Sequence, residues 1–375
     1  MEFNPHHQVL LAAFLIAVVF GAVANKTHFC TLGAVSDWIN IGNTGRMGAW
    51  VFAMAVALAG VLLLQAGGWA SIGSTTFPPY RTSNFAWLRY LLGGLMFGVG
   101  MALASGCGNK TLLRAGGGNL KSVVVLLIAA VCAYLMIWTE FYALAFHSWV
   151  EPTVIDLRRY GMHSQALGDV LAGWIGGEGA RYNLWLGWTL VAVMTTFVFA
   201  SKDFRGNFDN ILGGAVVGSA VAAGWYLTAG SIGVAWKEWA DMSALPPSRV
   251  EVQSFTFISP MADGLRYLMA PRNLDLVNFG IMALTGVLAG SFLYAIVSRS
   301  FRIEWFVSAA DFARHAAGAM LMGTGGVLAM GCTVGQAISG VSTLALGSFL
   351  TFAAIVAGSV ATMKYEYWRM LREDG

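Results

Sequence analysis

Charge is what this chain has least of: 11% of its 375 residues are Asp, Glu, Lys or Arg. Soluble domains carry about a quarter, so there is too little charge to coat a water-facing surface. The net charge of +3 is dispersed and forms no basic stripe, which excludes a nucleic-acid binder. Cysteine is scarce too: Cys30, Cys107, Cys132 and Cys332 stand far apart with no CxxC pair. That spacing excludes a disulfide framework and a zinc site. The six histidines are scattered apart from His6-His7, so no metal core and no cofactor is expected. No Lys or Arg precedes the first apolar run, and Glu2 does; Ala22-Val23-Ala24 is therefore read as part of an uncleaved first helix, not a signal cleavage site.

What fills the chain is apolar: 57% of it is hydrophobic, with a mean hydropathy of +0.65. Runs of roughly 18–22 apolar residues, enough to cross a hydrocarbon core of about 30 Å, recur throughout. About nine are read, near 8–25, 48–67, 86–105, 123–145, 183–200, 210–229, 276–297, 313–330 and 343–363. The expected fold is an all-α polytopic membrane protein. Nine spans put the termini on opposite faces. Lys26, Arg46, Lys110, Arg114, Lys121 and Lys202 belong to the more basic, C-terminal face, so the C-terminus is expected in the cytoplasm and the N-terminus outside. The long connections, 146–182 and 230–275, then lie outside as ordered caps, with amphipathic stretches such as Trp236–Trp239.

Two stretches end alike: GGLMFGVGMALASGC at Gly93–Cys107 and GAMLMGTGGVLAMGC at Gly318–Cys332. Superposed, they match Gly93 with Gly318, Gly98 with Gly323, Gly100 with Gly325, Ala104 with Ala329 and Cys107 with Cys332. Each is an apolar, small-residue helix that stops at a Gly-Cys pair. The two copies lie five crossings apart. An odd offset gives opposite orientations, so the expected architecture is two inverted pseudo-repeats with broken, re-entrant helices at the Gly-Cys motifs. The whole chain, 1–375, is then one transporter domain. It divides into a first half-repeat over 1–145, an extracytoplasmic connection plus linking helix over 146–209, and a second half-repeat over 210–375.

Backbone breaks inside a bilayer are tolerated only where protein or a polar cavity covers them, so the breaks mark the candidate site. Gly106-Cys107-Gly108-Asn109-Lys110, with Arg114 downstream, forms the first. Gly331-Cys332 and Gly335 form the second. A single buried cysteine is ordinarily a small packed hydrophobe, and Cys132, within an apolar helix, is read that way. A thiol duplicated at equivalent breaks is read as functional. Glycine there removes bulk, and free backbone N–H groups suit an anion. Cys30, in His28-Phe29-Cys30 just past the first span, has no symmetry mate and is expected at a wetter mouth of the same pathway.

These blocks resemble the YeeE/YedE sulfur-transport family. The match rests on His28-Phe29-Cys30 with Gly33 and Asp37, Gly106-Cys107 with Arg114-Ala115-Gly116, Gly331-Cys332 with Gly335, and Ala309-Ala310-Asp311. The resemblance implies a bacterial inner-membrane transporter, not an enzyme, for thiosulfate or a related sulfur anion, passed inward along the thiols; the order expected here is Cys30 outside, Cys107 near the middle and Cys332 inward. It also implies a cytoplasmic sulfur-acceptor protein as partner. Thiosulfate has a soft terminal sulfur, and a neutral thiol can donate a weak hydrogen bond to it without a thiolate's repulsion. Two rival readings are a permease for sulfide, sulfite or a selenium oxyanion, and a membrane thiol-disulfide enzyme. The absence of CxxC weighs against the second.

Overall fold

The structure, a computed structural model, describes residues 4–373; Glu2 lies outside them. Helices dominate. The first half contains α1 (Pro5–Lys26), α2 (Thr31–Ser36), α3 (Gly45–Ala66), α4 (Trp87–Leu103), α5 (Gly108–Gly116) and α6 (Leu120–Trp138). Next come α7 (Ser148–Val150), α8 (Leu167–Ile175), α9 (Gly179–Ala200) and α10 (Lys202–Arg205). The rest comprises α11 (Phe208–Ala229), α12 (Ser231–Met242), α13 (Ile258–Met269), α14 (Phe279–Val297), α15 (Ala309–Leu328) and α16 (Leu346–Glu373). Among the described residues the only sheet is a two-residue antiparallel ribbon, Asn84–Phe85 against Ile155–Asp156.

Helix lengths follow the apolar runs. α1, α3, α9 and α11 have 22 residues each, about 33 Å at 1.5 Å per residue, a bilayer's core depth. Among the described residues, eight stretches are long and apolar enough to cross a membrane. The expected span near 313–330 is not among them. It is the helix α15, whose first turns carry Asp311, Arg314 and His315. It nonetheless lies along the length of α4, at the same depth. The expected span over 123–145 also stops early: α6 ends at Trp138, where Thr139 becomes extended and its hydroxyl accepts from Phe141 N–H.

Small residues let the helices approach closely, which is how apolar helices gain contact in lipid. A Cβ on Gly286 would stand 2.6 Å from the Phe14 carbonyl of α1, and one on Gly218 2.6 Å from the Ala53 carbonyl of α3, so α14 packs on α1 and α11 on α3. α4 lies between α15 and α16. Its contacts with α15 are reciprocal: Gly93 meets the Gly325 carbonyl, and Gly318 meets the Gly100 carbonyl and Ala104 N–H. Residue numbers rise along α4 as they fall along α15, so the two helices are antiparallel. We expect Gly318→Val, whose Cβ would stand 2.6 Å from both Gly100 O and Ala104 N, to cost about 1–3 kcal/mol through overpacking. The check is the melting temperature of the detergent-solubilised protein. Gly264→Ala, with nothing within 4 Å, should leave it unchanged.

The connection 230–275, expected as a cap, also enters the interior. Its stretch Ser254–Phe257 runs into the interior, with Phe255 and Phe257 fully buried. Extended backbone survives there because hydroxyls satisfy it. Thr228 Oγ1 donates to Gln253 O at 2.6 Å and Ser339 Oγ to Phe255 O at 2.6 Å, while Ser254 Oγ anchors the segment to the Val221 carbonyl of α11 at 2.7 Å. On the same face as this connection, Trp236 Nε1 donates to His6 Nδ1 at 3.0 Å and Ser71 N–H to Ala229 O at 3.4 Å. The N-terminal end of α1, the 67–86 loop and the end of α11 therefore share one face.

Candidate functional site

Three helices end in the same way inside the molecule. α1 closes with His28 left-handed (φ 51°) and Phe29 N–H donating to Ala24 O at 2.9 Å. α4 closes with Ser105 (φ 57°) and Gly106 N–H to Met101 O at 3.0 Å. α15 closes with Met330 (φ 58°) and Gly331 N–H to Gly326 O at 2.8 Å. A left-handed residue followed by this long-reach bond is the Schellman closure. In each case a cysteine stands two residues beyond the left-handed one. The glycines at 106 and 331 are thus not what turns the chain; non-glycine residues turn it, at about 1–2 kcal/mol each. Space is tight only at Gly331, where a Cβ would lie 3.3 Å from Gln336 Cγ; one on Gly106 would meet Lys110 Cγ at an ordinary contact distance of 3.4 Å.

Each cysteine opens the next helical segment: Cys30 caps α2, Cys107 caps α5, and Cys332 precedes the π-helical turn Val334–Gly340. Gly33 N–H donates to Cys30 Sγ at 3.4 Å. The corresponding Lys110 and Gly335 N–H groups, also three residues on, approach the Cys107 and Cys332 sulfurs. Thr31 Oγ1 donates to Cys107 Sγ at 3.8 Å.

Cys30 does not lie at a wet mouth. It is 5% exposed, with neighbouring Phe29 stacked on buried Trp50 at 4.5 Å between ring centroids. Its thiol lies beside that of Cys107. Cys107 and Cys332 are fully buried. A Cβ on Gly108 would stand 3.9 Å from Cys332 Cβ and 4.0 Å from Met261 Cε, so the second and third breaks abut. The three thiols form one buried row with Cys107 in the middle. The fourth, Cys132, is half-buried beside Gly323 on the α6–α15 contact, apart from the row.

The other expected residues divide. Asn109 is fully buried and ties two breaks together, its amide donating to Phe29 O at 3.3 Å while its carbonyl oxygen has no partner. Lys110 is half-buried and lies toward Cys30 and Cys107, with Arg46 nearby. Arg114 is turned away: it donates to Ser105 O at 3.4 Å and pairs with Glu304 at 3.6 Å. Gly335 faces Thr256 and Tyr80, residues from two different connections that sequence reasoning passed over. Arg46, held by Asp37 at 2.6 and 3.0 Å and standing over Gly33, was passed over as well. A charge in the loop after Cys30 was the available signal for it. His28, Arg46 and Lys110 thus gather at the Cys30 end of the row, and Tyr80 stands at the Cys332 end.

The sequence model of a family described as sulphur transport matches residues 26–361. Among curated proteins, the chain is 26% identical over 342 residues to the thiosulfate transporter TsuA of Escherichia coli (strain K12), covering 88% of this chain and 87% of that one. It is 22% identical over 368 residues to the thiosulfate transporter TsuA of Spirochaeta thermophila, covering 94% and 97%.

Proposed function

Because the chain belongs to the sulphur transport family, we propose that it carries thiosulfate through the inner membrane along the row of Cys30, Cys107 and Cys332. The observation that carries this reading is the set of three like helix closures that place three buried thiols side by side. Thiosulfate is a dianion with a soft sulfur at one end and sulfonate oxygens at the other. A thiol offers the soft end a weak S–H donor, and the N–H group three residues beyond each cysteine steadies its sulfur. Several weak stations in series allow passage where one deep well would trap the ion.

The reciprocal Gly93–Gly325 and Gly318–Gly100 contacts between antiparallel α4 and α15 support two inverted halves. With the N-terminus outside, the Tyr80 end is outer and the Lys110 end is cytoplasmic. The ion then meets Cys332 first, Cys107 next and Cys30 last, the reverse of the order expected from sequence. Gly106, Gly108, Gly331 and Gly335 keep side-chain bulk away from the row, and Asn109 ties the Cys30 and Cys107 breaks together beside it. A cytoplasmic protein that accepts the sulfur completes the path. Uptake of a panel of sulfur and selenium anions by vesicles holding the purified protein tests the substrate: preference for sulfide, sulfite or selenite over thiosulfate would replace it.

Lys110 and Arg114 separate under this reading. Lys110→Gln should raise the half-saturating thiosulfate concentration several-fold, less so at high salt as screening grows. Arg114→Gln, whose charge is engaged by Glu304, should leave affinity unchanged. Uptake at two ionic strengths measures both.

A further inference from the structure

Two buried hydroxyls at the outer end of the row have no hydrogen-bond partner: Tyr80 Oη and Thr256 Oγ1. Each residue is 3% exposed. A buried donor left unpaired costs about 1–3 kcal/mol, so two converging on one place require an explanation. They converge on Gly335. A Cβ there would stand 2.5 Å from Thr256 Oγ1 and 3.4 Å from Tyr80 Oη. Gly335 N–H in turn approaches the Cys332 sulfur.

The fold invests in holding these groups. The Tyr80 segment pairs with the Thr256 segment through Phe77 N–H and Val252 O at 2.9 Å. The next residue, Arg81, is clamped by the Thr343 and Ile72 carbonyls at 2.8 and 2.7 Å. The Tyr80 ring packs edge-on against Trp225 at 6.3 Å between centroids and lies over Gly340. A phenylalanine would make the same ring contacts, so packing accounts for the ring and leaves the hydroxyl unexplained. Thr76, Pro79 and Thr82, from the same loop, line a hydroxyl-rich cavity of about 590 Å³ that also holds Ser71, Ser74 and Lys237.

We propose that the Tyr80 and Thr256 hydroxyls form an oxygen-binding station on the outer side of Cys332 that receives the sulfonate end of the anion while the thiols receive its sulfur. Resting on the thiosulfate reading above, this gives the pathway a two-ended selectivity: hard donors for the oxygens, soft donors for the sulfur. A hydrogen bond to a charged group outweighs one between neutral groups, so losing either hydroxyl should show in affinity.

The experiment is initial-rate uptake of labelled thiosulfate by proteoliposomes, over a range of concentrations, for the unaltered protein, Tyr80→Phe and Thr256→Val. Melting temperatures are taken alongside. The expected result is a half-saturating concentration raised about tenfold or more in each variant, with the melting temperature kept and the maximal rate changed much less. Unchanged half-saturation in both variants overturns the station and leaves the thiol row standing. A lower maximal rate at constant half-saturation also overturns it, assigning the residues to framework. Thr256→Ser, which keeps the hydroxyl, should restore affinity, and its failure to do so counts against the station. Absence of thiosulfate uptake by the unaltered protein overturns the transport reading itself, a different outcome from any of these.

Discussion

Cys107→Ala is expected to reduce thiosulfate uptake to background while the amount of folded protein stays nearly constant. Removing one sulfur from a packed site costs at most a few kcal/mol, and in lipid the helix contacts that hold α4, α15 and α16 together do not involve the thiol. Transport has no such reserve. Cys107 is the middle of the row, within reach of Cys30 on one side and next to the Cys332 break on the other. Cys332→Ala should behave alike. Cys132→Ala is the control, since Cys132 sits on the α6–α15 contact. It should transport normally, and equal uptake by all three variants would remove the thiols from the mechanism.

Cys30→Ala should be as severe as Cys107→Ala. A cysteine at a solvent-filled mouth would give a partial loss, because water stands in for the missing group. Cys30 is shielded by the Phe29–Trp50 stack and faces Cys107, so nothing replaces its S–H. Cys30→Ser tests the chemistry more finely. It keeps a donor of similar size and exchanges a soft partner for a hard one, so uptake should fall strongly even though a hydrogen bond can still form. Matched uptake assays in vesicles, normalised to protein content, measure both. A mild phenotype for Cys30→Ala would return Cys30 to the periphery.

The duplicated pattern of Gly93, Gly100 and Gly318, Gly325 was legible because close helix packing demands small residues at fixed spacing. In the structure these glycines lie against one another across α4 and α15. The Cys30 break was harder to recognise. Its left-handed turn falls on His28 and the following position holds Phe29, so it lacks the Gly-Cys signature although its backbone closes like the other two. Glycine at 331 answers to local space, while the turn at each break is set by the closing hydrogen bonds, which leave no mark in composition. The span read at 313–330 corresponds to α15, whose polar first turns, with Asp311, Arg314 and His315, keep it from being an ordinary apolar span. The Tyr80 and Thr256 hydroxyls come from connections without periodicity and meet only because Phe77 pairs with Val252. Such long-range pairing cannot be read from either segment alone.

The most direct test of the thiol row is where the soft end of the anion rests. Selenosulfate carries selenium in place of thiosulfate's terminal sulfur, and its anomalous scattering marks that one atom in crystals of the complex. The selenium is expected in contact with the sulfur of Cys107, Cys332 or Cys30. A selenium bound within the protein but away from all three thiols would contradict the account.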